Sequence, residues 1–286
     1  MSQGPTTPPT PDGGKKLADQ HAAVFIALSK LPPFHPTALR LMNLSVESET
    51  AMADFEEAFK SDPALTADLL LVANSAEFGL RARIETIRHA LSFLGLERVR
   101  SLGCTIAFSF YVRNVPRSPY MRMAWAHSVA TAVIADAIGK VHGSSVMYTA
   151  GLVHDLGRLA LLSVGENYAE KLNVQFEDME QSFAMEKDEF GMTHCDAGET
   201  ICDKWRFPPS LKVCMTGHHE PVVGRLSEPV NAVRVACAMA EIMGFPEIHQ
   251  KVHAAAGTLP DSLKHRPELD PDRLLAQINR QIGSVA

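Results

Sequence analysis

From Leu17 onward the chain repeats one pattern: apolar residues at helical spacing, punctuated by Pro, Gly and Asp. Ala22, Phe25, Ile26 and Leu28 form a stripe that ends at Leu31-Pro32-Pro33. Asp62-Pro63 reads as a helix start, because Asp accepts from free backbone N–H groups and Pro tolerates the first turn. Leu65, Leu69, Val72, Ala73 and Ala76 follow at helical spacing, and Gly79 breaks the run. Ile84, Ile87, Leu91 and Leu94 form the next stripe, closed by Gly95, before a helix over 97–112. Further helices are predicted to about 141, over 145–163, between 166 and 187, over 193–205, from Pro208-Pro209 to His218-His219, and over 231–243. Asp270-Pro271 opens a last one, with Leu274, Leu275, Ile278 and Ile282 on one side. No stretch alternates as a strand does, and no internal repeat is evident. The expected fold is all-α and two-lobed. A Pro/Gly/Thr-rich disordered tail spans 1–16 and an N-terminal helical lobe spans 17–115. A second helical lobe with C-terminal helices spans 116–286.

Composition narrows the function classes. The 286 residues are 46% hydrophobic and 21% charged, enough for a sizeable core without disulfides. A net charge of -6 argues against non-specific nucleic-acid binding. Aromatic residues, at 7%, do not interleave with the arginines at 81, 83, 88, 98 and 100, so no stacking platform for single strands is expected. Those arginines read as a solvated helix face or as a docking surface for an acidic partner or a nucleotide. The five cysteines are scattered, with no CxxC pair, as in a reducing compartment. Cys195 and Cys202 read as packing residues. No apolar run approaches the ~20 residues of a membrane span, and no apolar leader follows Met1, so a cytoplasmic location is expected. P-loop, dinucleotide, GxSxG and HExxH signatures are absent.

One stretch within this helical series is chemically costly. His154-Asp155 lies in an apolar run, where ionisable groups are seldom buried without a partner. It calls for either a buried polar network or a metal ion. His127, His194, His218 and His219 add candidates from neighbouring helical segments. Successive residues on a helix point about 100° apart, so a closed site must gather ligands from several helices.

These residues carry a resemblance. His127, His154-Asp155, His194 and His218-His219 follow the order of the HD superfamily of metal-dependent phosphohydrolases, including its HD-GYP branch. Leu31-Pro32-Pro33-Phe34-His35-Pro36, Asp62-Pro63-Ala64-Leu65, Ala73-Asn74-Ser75-Ala76, the block from Leu91 to Arg100, and Trp205-Arg206-Phe207-Pro208 narrow it. Over roughly Leu17 to Gly244 the chain resembles the HDOD family. The resemblance implies a bacterial, all-helical signalling or regulatory module with an HD-superfamily-like helical core in its second lobe. Many such proteins lack a complete metal site. For an intact site it implies one metal on the isolated His, the dyad and a closing Asp, and another on the bridging Asp and remaining histidines.

The chain departs from the catalytic pattern. Cys237 stands where the closing Asp is expected, and His218-His219-Glu220-Pro221-Val222-Val223-Gly224 lacks the GYP segment. Cysteine suits zinc better than magnesium or manganese. Two functions remain open: a regulatory protein with a degenerate HD site that binds a signalling partner or a nucleotide, and a metal-dependent phosphohydrolase acting on a nucleotide or phosphoester. In the second, Asp155 would orient a water and Arg158 would fork onto a phosphate, where HD-GYP proteins usually carry Lys. Arg158 also reads as a solvated residue. The expected metal set is His127, His154, Asp155, His194, His218, His219 and Cys237. The ion would be Fe, Zn or Mn if one is bound.

Overall fold

The computed structural model describes residues 11–75, 83–113, 119–142, 144, 146–165, 167–172, 174–247, 263 and 265–285. Among these the chain is helical throughout and contains no strand. The first helix, α1 (Pro11–Lys30), starts inside the segment expected to be a disordered tail. Residues 1–10, Arg81, the expected lobe boundary near Pro116, His249 and His253 lie outside the described residues. No described helix is long and apolar enough to cross a membrane.

α2 (Pro36–Asn43), α3 (Ala51–Lys60), α4 (Pro63–Ala73) and α5 (Ile87–Leu94) pack around α6 (Leu96–Arg113). The motif residues hold these helices in place. Asp62 caps α4 by accepting from Leu65 N–H at 3.0 Å. The same carboxylate accepts from Thr37 at 2.8 Å and lies 3.3 Å from His35, which ties α2 to α4. Asn74 exchanges a pair of hydrogen bonds with the backbone of Ile84. Gly95 joins α5 to α6 at φ 83°, a conformation that L side chains rarely adopt.

The second group is α7 (Pro119–His142), α8 (Met147–Val153), α9 (Leu156–Val164), α10 (Tyr168–Lys171), α11 (Met179–Phe190), α12 (His194–Trp205), α13 (Pro209–Gly217) and α14 (Pro229–Ile242). The final helix, α15 (Pro271–Val285), packs on α7 and reaches α6. α7 lies along α8 and α14, while α12 lies along α9 and α13.

The two groups interlock. Phe34 packs on Trp205 and Phe207, with ring centroids 5.6 and 5.4 Å away. α1 packs against α9, α11 and α12. It buries Leu28 and turns Phe25 and Ile26 outward, so the stripe expected from the sequence is not the face it buries. The Tyr148 hydroxyl on α8 bonds to Thr105 of α6 and Gln281 of α15, each at 2.7 Å.

Candidate metal centre

The single helix expected over 145–163 is two. α8 ends at Val153, Asp155 leaves helical geometry at φ -107° and ψ 26°, and α9 starts at Leu156. Two glycines let the halves pack closely. A Cβ on Gly151 would lie 2.8 Å from the Thr131 carbonyl oxygen of α7, and one on Gly157 only 1.9 Å from that of His194. The break therefore wedges the His154-Asp155 corner between α7 and α12. His127 comes from mid-α7, and His154 and Asp155 from the corner. His194 is the first residue of α12, fixed by a capping box between Thr193 and Asp196. His218 and His219 follow α13, and Cys237 sits on α14.

The structure brings all these residues together, and overlapping ligand-sized groups result among the described residues. His127, His154 and Cys237 have donor atoms within 4.8 Å of one another, as do Asp155, His194, His218 and Glu247. Two further combinations meet the same limit: His194, Cys195, His218 and His219, and Cys237, Glu241 and Glu247. The rings of His127 and His154 lie 5.2 Å apart, and those of His154 and His218 lie 4.8 Å apart.

Three histidines are fixed through Nδ1. His127 bonds to the Phe245 carbonyl at 2.8 Å and His154 to that of Gly151 at 2.7 Å. His218 reaches the carbonyls of Cys214 and Met215, both at 3.1 Å. With Nδ1–H donating to a carbonyl, Nε2 presents a lone pair, the tautomer a metal ligand needs. Among the described residues, Nε2 of His154 and of His218 and Oδ1 of Asp155 have no hydrogen-bond partner, while Asp155 Oδ2 and Glu247 Oε2 have only long contacts, 3.3 Å to Arg158 and 3.4 Å to His219. Buried polar atoms are rarely left so. This set of orphaned acceptors fits a divalent cation.

Arg158 is not the solvated residue that the sequence also allowed. It is fully buried. Its guanidinium donates to Glu247, to Tyr168 and Glu186 at 2.9 Å each, and lies 3.0 Å from His194 Nδ1. Asp155 is 3.3 Å from its Nε. Of the arginines expected on a common face, Arg100 departs from it and Arg88 is exposed. Arg100 is buried, bonded to Glu97 and the Leu44 carbonyl, while Arg88 pairs with Glu56 at 3.5 Å.

Electrostatics follow from this crowding. Burial pushes His154 down to about 3, with His127 beside it adding to the effect. Burial likewise lowers His127, His194 and His218. Asp155 is raised, by burial and by Glu247. Burial works to raise Glu186 too, but His194 and Arg158 outweigh it and leave it at about 2. Asp155, Glu186 and Glu247 thus place three carboxyls around one guanidinium. They can be neutralised by protons or by a further cation.

Sequence reasoning missed Glu186, Glu247 and Tyr168. Glu186 lies on a polar helix, where an acidic residue reads as solvated. Glu247 follows Gly244-Phe245-Pro246, where nothing local marks it as buried.

The family model for the HDOD domain matches residues 31–221. The chain belongs to the HDOD family. An HDOD domain protein of unknown function from Geobacter sulfurreducens shares its fold, with a TM-score of 0.69 at 20% identity. That match covers 95% of this chain and 96% of that one. A candidate signal transduction protein from Marinobacter aquaeolei VT8 matches with a TM-score of 0.70 at 19% identity, over 96% of this chain and 65% of that one. A candidate metal-dependent phosphohydrolase from Shewanella amazonensis SB2B matches at 0.59 and 17%, over 97% of this chain and all (100%) of the other. A relative from Treponema pallidum (strain Nichols), named only as uncharacterized, is 21% identical over 203 residues. The HDOD chain aligns over 69% of its own length but only 39% of that relative's.

Proposed function

We propose that this HDOD protein is a regulatory module of bacterial signal transduction, with a degenerate HD site, acting by binding a signalling partner or a nucleotide. The observation that carries the reading is Arg158. The cation best placed to meet a phosphoester is fully buried and already bonded to Glu186, Glu247 and Tyr168. Releasing it would leave three carboxyls without their counter-charge, a change costing several kcal/mol. The Marinobacter protein's name supports a role in signalling.

A second reading, a metal-dependent phosphohydrolase, is favoured by the orphaned acceptors of His154, Asp155, His218 and Glu247. His127, His154, Asp155, His194, His218, His219 and Cys237 are the residues that would hold Fe, Zn or Mn. Such an ion would supply a water acidic enough to ionise near neutral pH. Asp155 would orient that water, and the anchored imidazoles would keep their lone pairs aimed inward.

The test is a turnover screen of protein loaded in turn with Fe, Zn and Mn. Substrates are bis-p-nitrophenyl phosphate, cyclic dinucleotides and nucleoside monophosphates. The regulatory reading predicts no turnover above that of Asp155→Asn. Turnover that this substitution abolishes would overturn it in favour of the hydrolase.

A further inference from the structure

We infer that the chain takes a single divalent ion of the zinc class on His127, His154 and Cys237, with the Arg158 guanidinium in the place of a second ion. The inference rests on the metal reading above and narrows it to particular ligands, one ion and one class of metal.

The first group has the form of a nitrogen–sulfur site. Its members come from α7, the α8–α9 corner and α14, and all three are buried. Both rings are held at Nδ1 by backbone carbonyls, so both Nε2 atoms are acceptors. That of His154 has no partner, and that of His127 lies 3.4 Å from Cys237 Sγ. Tetrahedral zinc with ~2.0–2.1 Å bonds to nitrogen and ~2.3 Å to sulfur has ligand edges of about 3.4–3.6 Å. The His127–Cys237 spacing is already at that value. Two imidazoles and a thiolate favour zinc over magnesium, calcium or manganese, which take oxygen. Three protein ligands leave a fourth position for water or a ligand.

The second group holds a cation of its own. Arg158 lies 2.8 Å from Glu247 Oε1 through Nε, 3.0 Å from His194 Nδ1 through Nη2, and 3.3 Å from Asp155 Oδ2. These atoms belong to three of the four residues of the Asp155–His194–His218–Glu247 group. A metal on the atoms of this group that the guanidinium leaves open, Asp155 Oδ1, His218 Nε2 and Glu247 Oε2, would sit beside that guanidinium, where like charge opposes it. His194 is engaged as well: its Nδ1 donates to the Glu186 carboxylate at 2.9 Å, and its Nε2 lies 3.0 Å from His219 Nε2.

The test is metal titration of the untagged, chelator-stripped full chain with Zn and with Co, followed by elemental analysis and absorption spectra. Circular dichroism confirms that each variant is folded. One equivalent is expected, and the cobalt form should show a thiolate-to-cobalt charge-transfer band. Cys237→Ser should remove the band and weaken zinc by more than about 100-fold, beyond the usual cost of losing an outer-shell partner. Cys195→Ser, which alters the competing His194–Cys195–His218–His219 combination, should change neither. Arg158→Met should admit a second equivalent, and a folded variant that does not would overturn the stand-in role. If that variant fails to fold, wild-type stoichiometry decides: two equivalents would overturn the proposal. One equivalent that survives Cys237→Ser would overturn the ligand assignment alone. No uptake by folded wild-type protein would overturn the metal reading as well, leaving the regulatory reading standing.

Discussion

At the scale of the residue, Arg158 holds a full charge where no solvent reaches. A guanidinium can do so because its planar fork presents five donors, and here Glu186, Glu247 and Tyr168 accept from it. Removing one partner of a buried charge set is costly because the remainder is left uncompensated. Arg158→Ala is therefore expected to destabilise the protein by roughly 3–5 kcal/mol, read as a shift of the urea midpoint at unchanged slope. A loss under about 1 kcal/mol would place Arg158 among weakly coupled surface pairs instead. The sequence placed this residue one turn past the dyad but could not indicate its carboxylate partners, which lie 28 and 89 positions further on.

At the scale of the element, the geometry of the α9–α12 contact decides whether His194 reaches the cluster. Gly157 makes this contact possible, since a Cβ there would overlap the His194 carbonyl at 1.9 Å and the Gly198 nitrogen at 2.5 Å. Both obstacles are backbone, so the helices must part. Gly157→Ala is expected to cost on the order of 3 kcal/mol and to displace His194 from its place beside Glu186 and His219. Gly198→Ala is the control. Its Cβ would meet Met215 alone, at Cβ, the carbonyl oxygen and Cε 3.5–3.7 Å away, all ordinary contacts, and alanine is the better helix former by about 1 kcal/mol. Stability equal to or slightly above the parent is expected there. Equal losses at both positions in chemical denaturation would show that close packing at Gly157 is not the cause. Helix ends were more legible than helix contacts: Asp62-Pro63 caps α4 as its sequence implies.

At the scale of the whole molecule, the core reaches across both groups of helices and carries thiols with it. Burial pushes Cys104 and Cys214 each up to about 12, against weaker opposing effects of Arg100 and Arg234. An acid whose folded value is raised stays protonated in the native state while the unfolded chain ionises. Its contribution is complete below the ordinary thiol value of ~8.5 and is lost as pH rises from there towards 12. Urea unfolding should therefore show stability falling above pH ~8.5, by up to about 1.4 kcal/mol per pH unit for each thiol. Cys104→Ala should flatten that slope. A profile equally steep in the variant would assign the loss to other groups.

The sequence by itself determined the helical class, the caps and breaks, the HDOD resemblance and the residues that gather at the centre. These depend on local periodicity, on Pro, Gly and Asp at helix ends, and on side-chain chemistry, all of which are written along the chain. It also marked Cys237 as the departure from the HD pattern. Tertiary structure alone decided that the His154-Asp155 run bends into two helices, that α1 lies on α9, α11 and α12, and that Glu186 and Glu247 turn inward. It alone enclosed Arg158 among carboxylates. Partnership between charges far apart in sequence depends on how helices cross, and crossing depends on which faces interlock at sites such as Gly151 and Gly157. A linear pattern records which side chains can pair; only packing in three dimensions selects the ones that do.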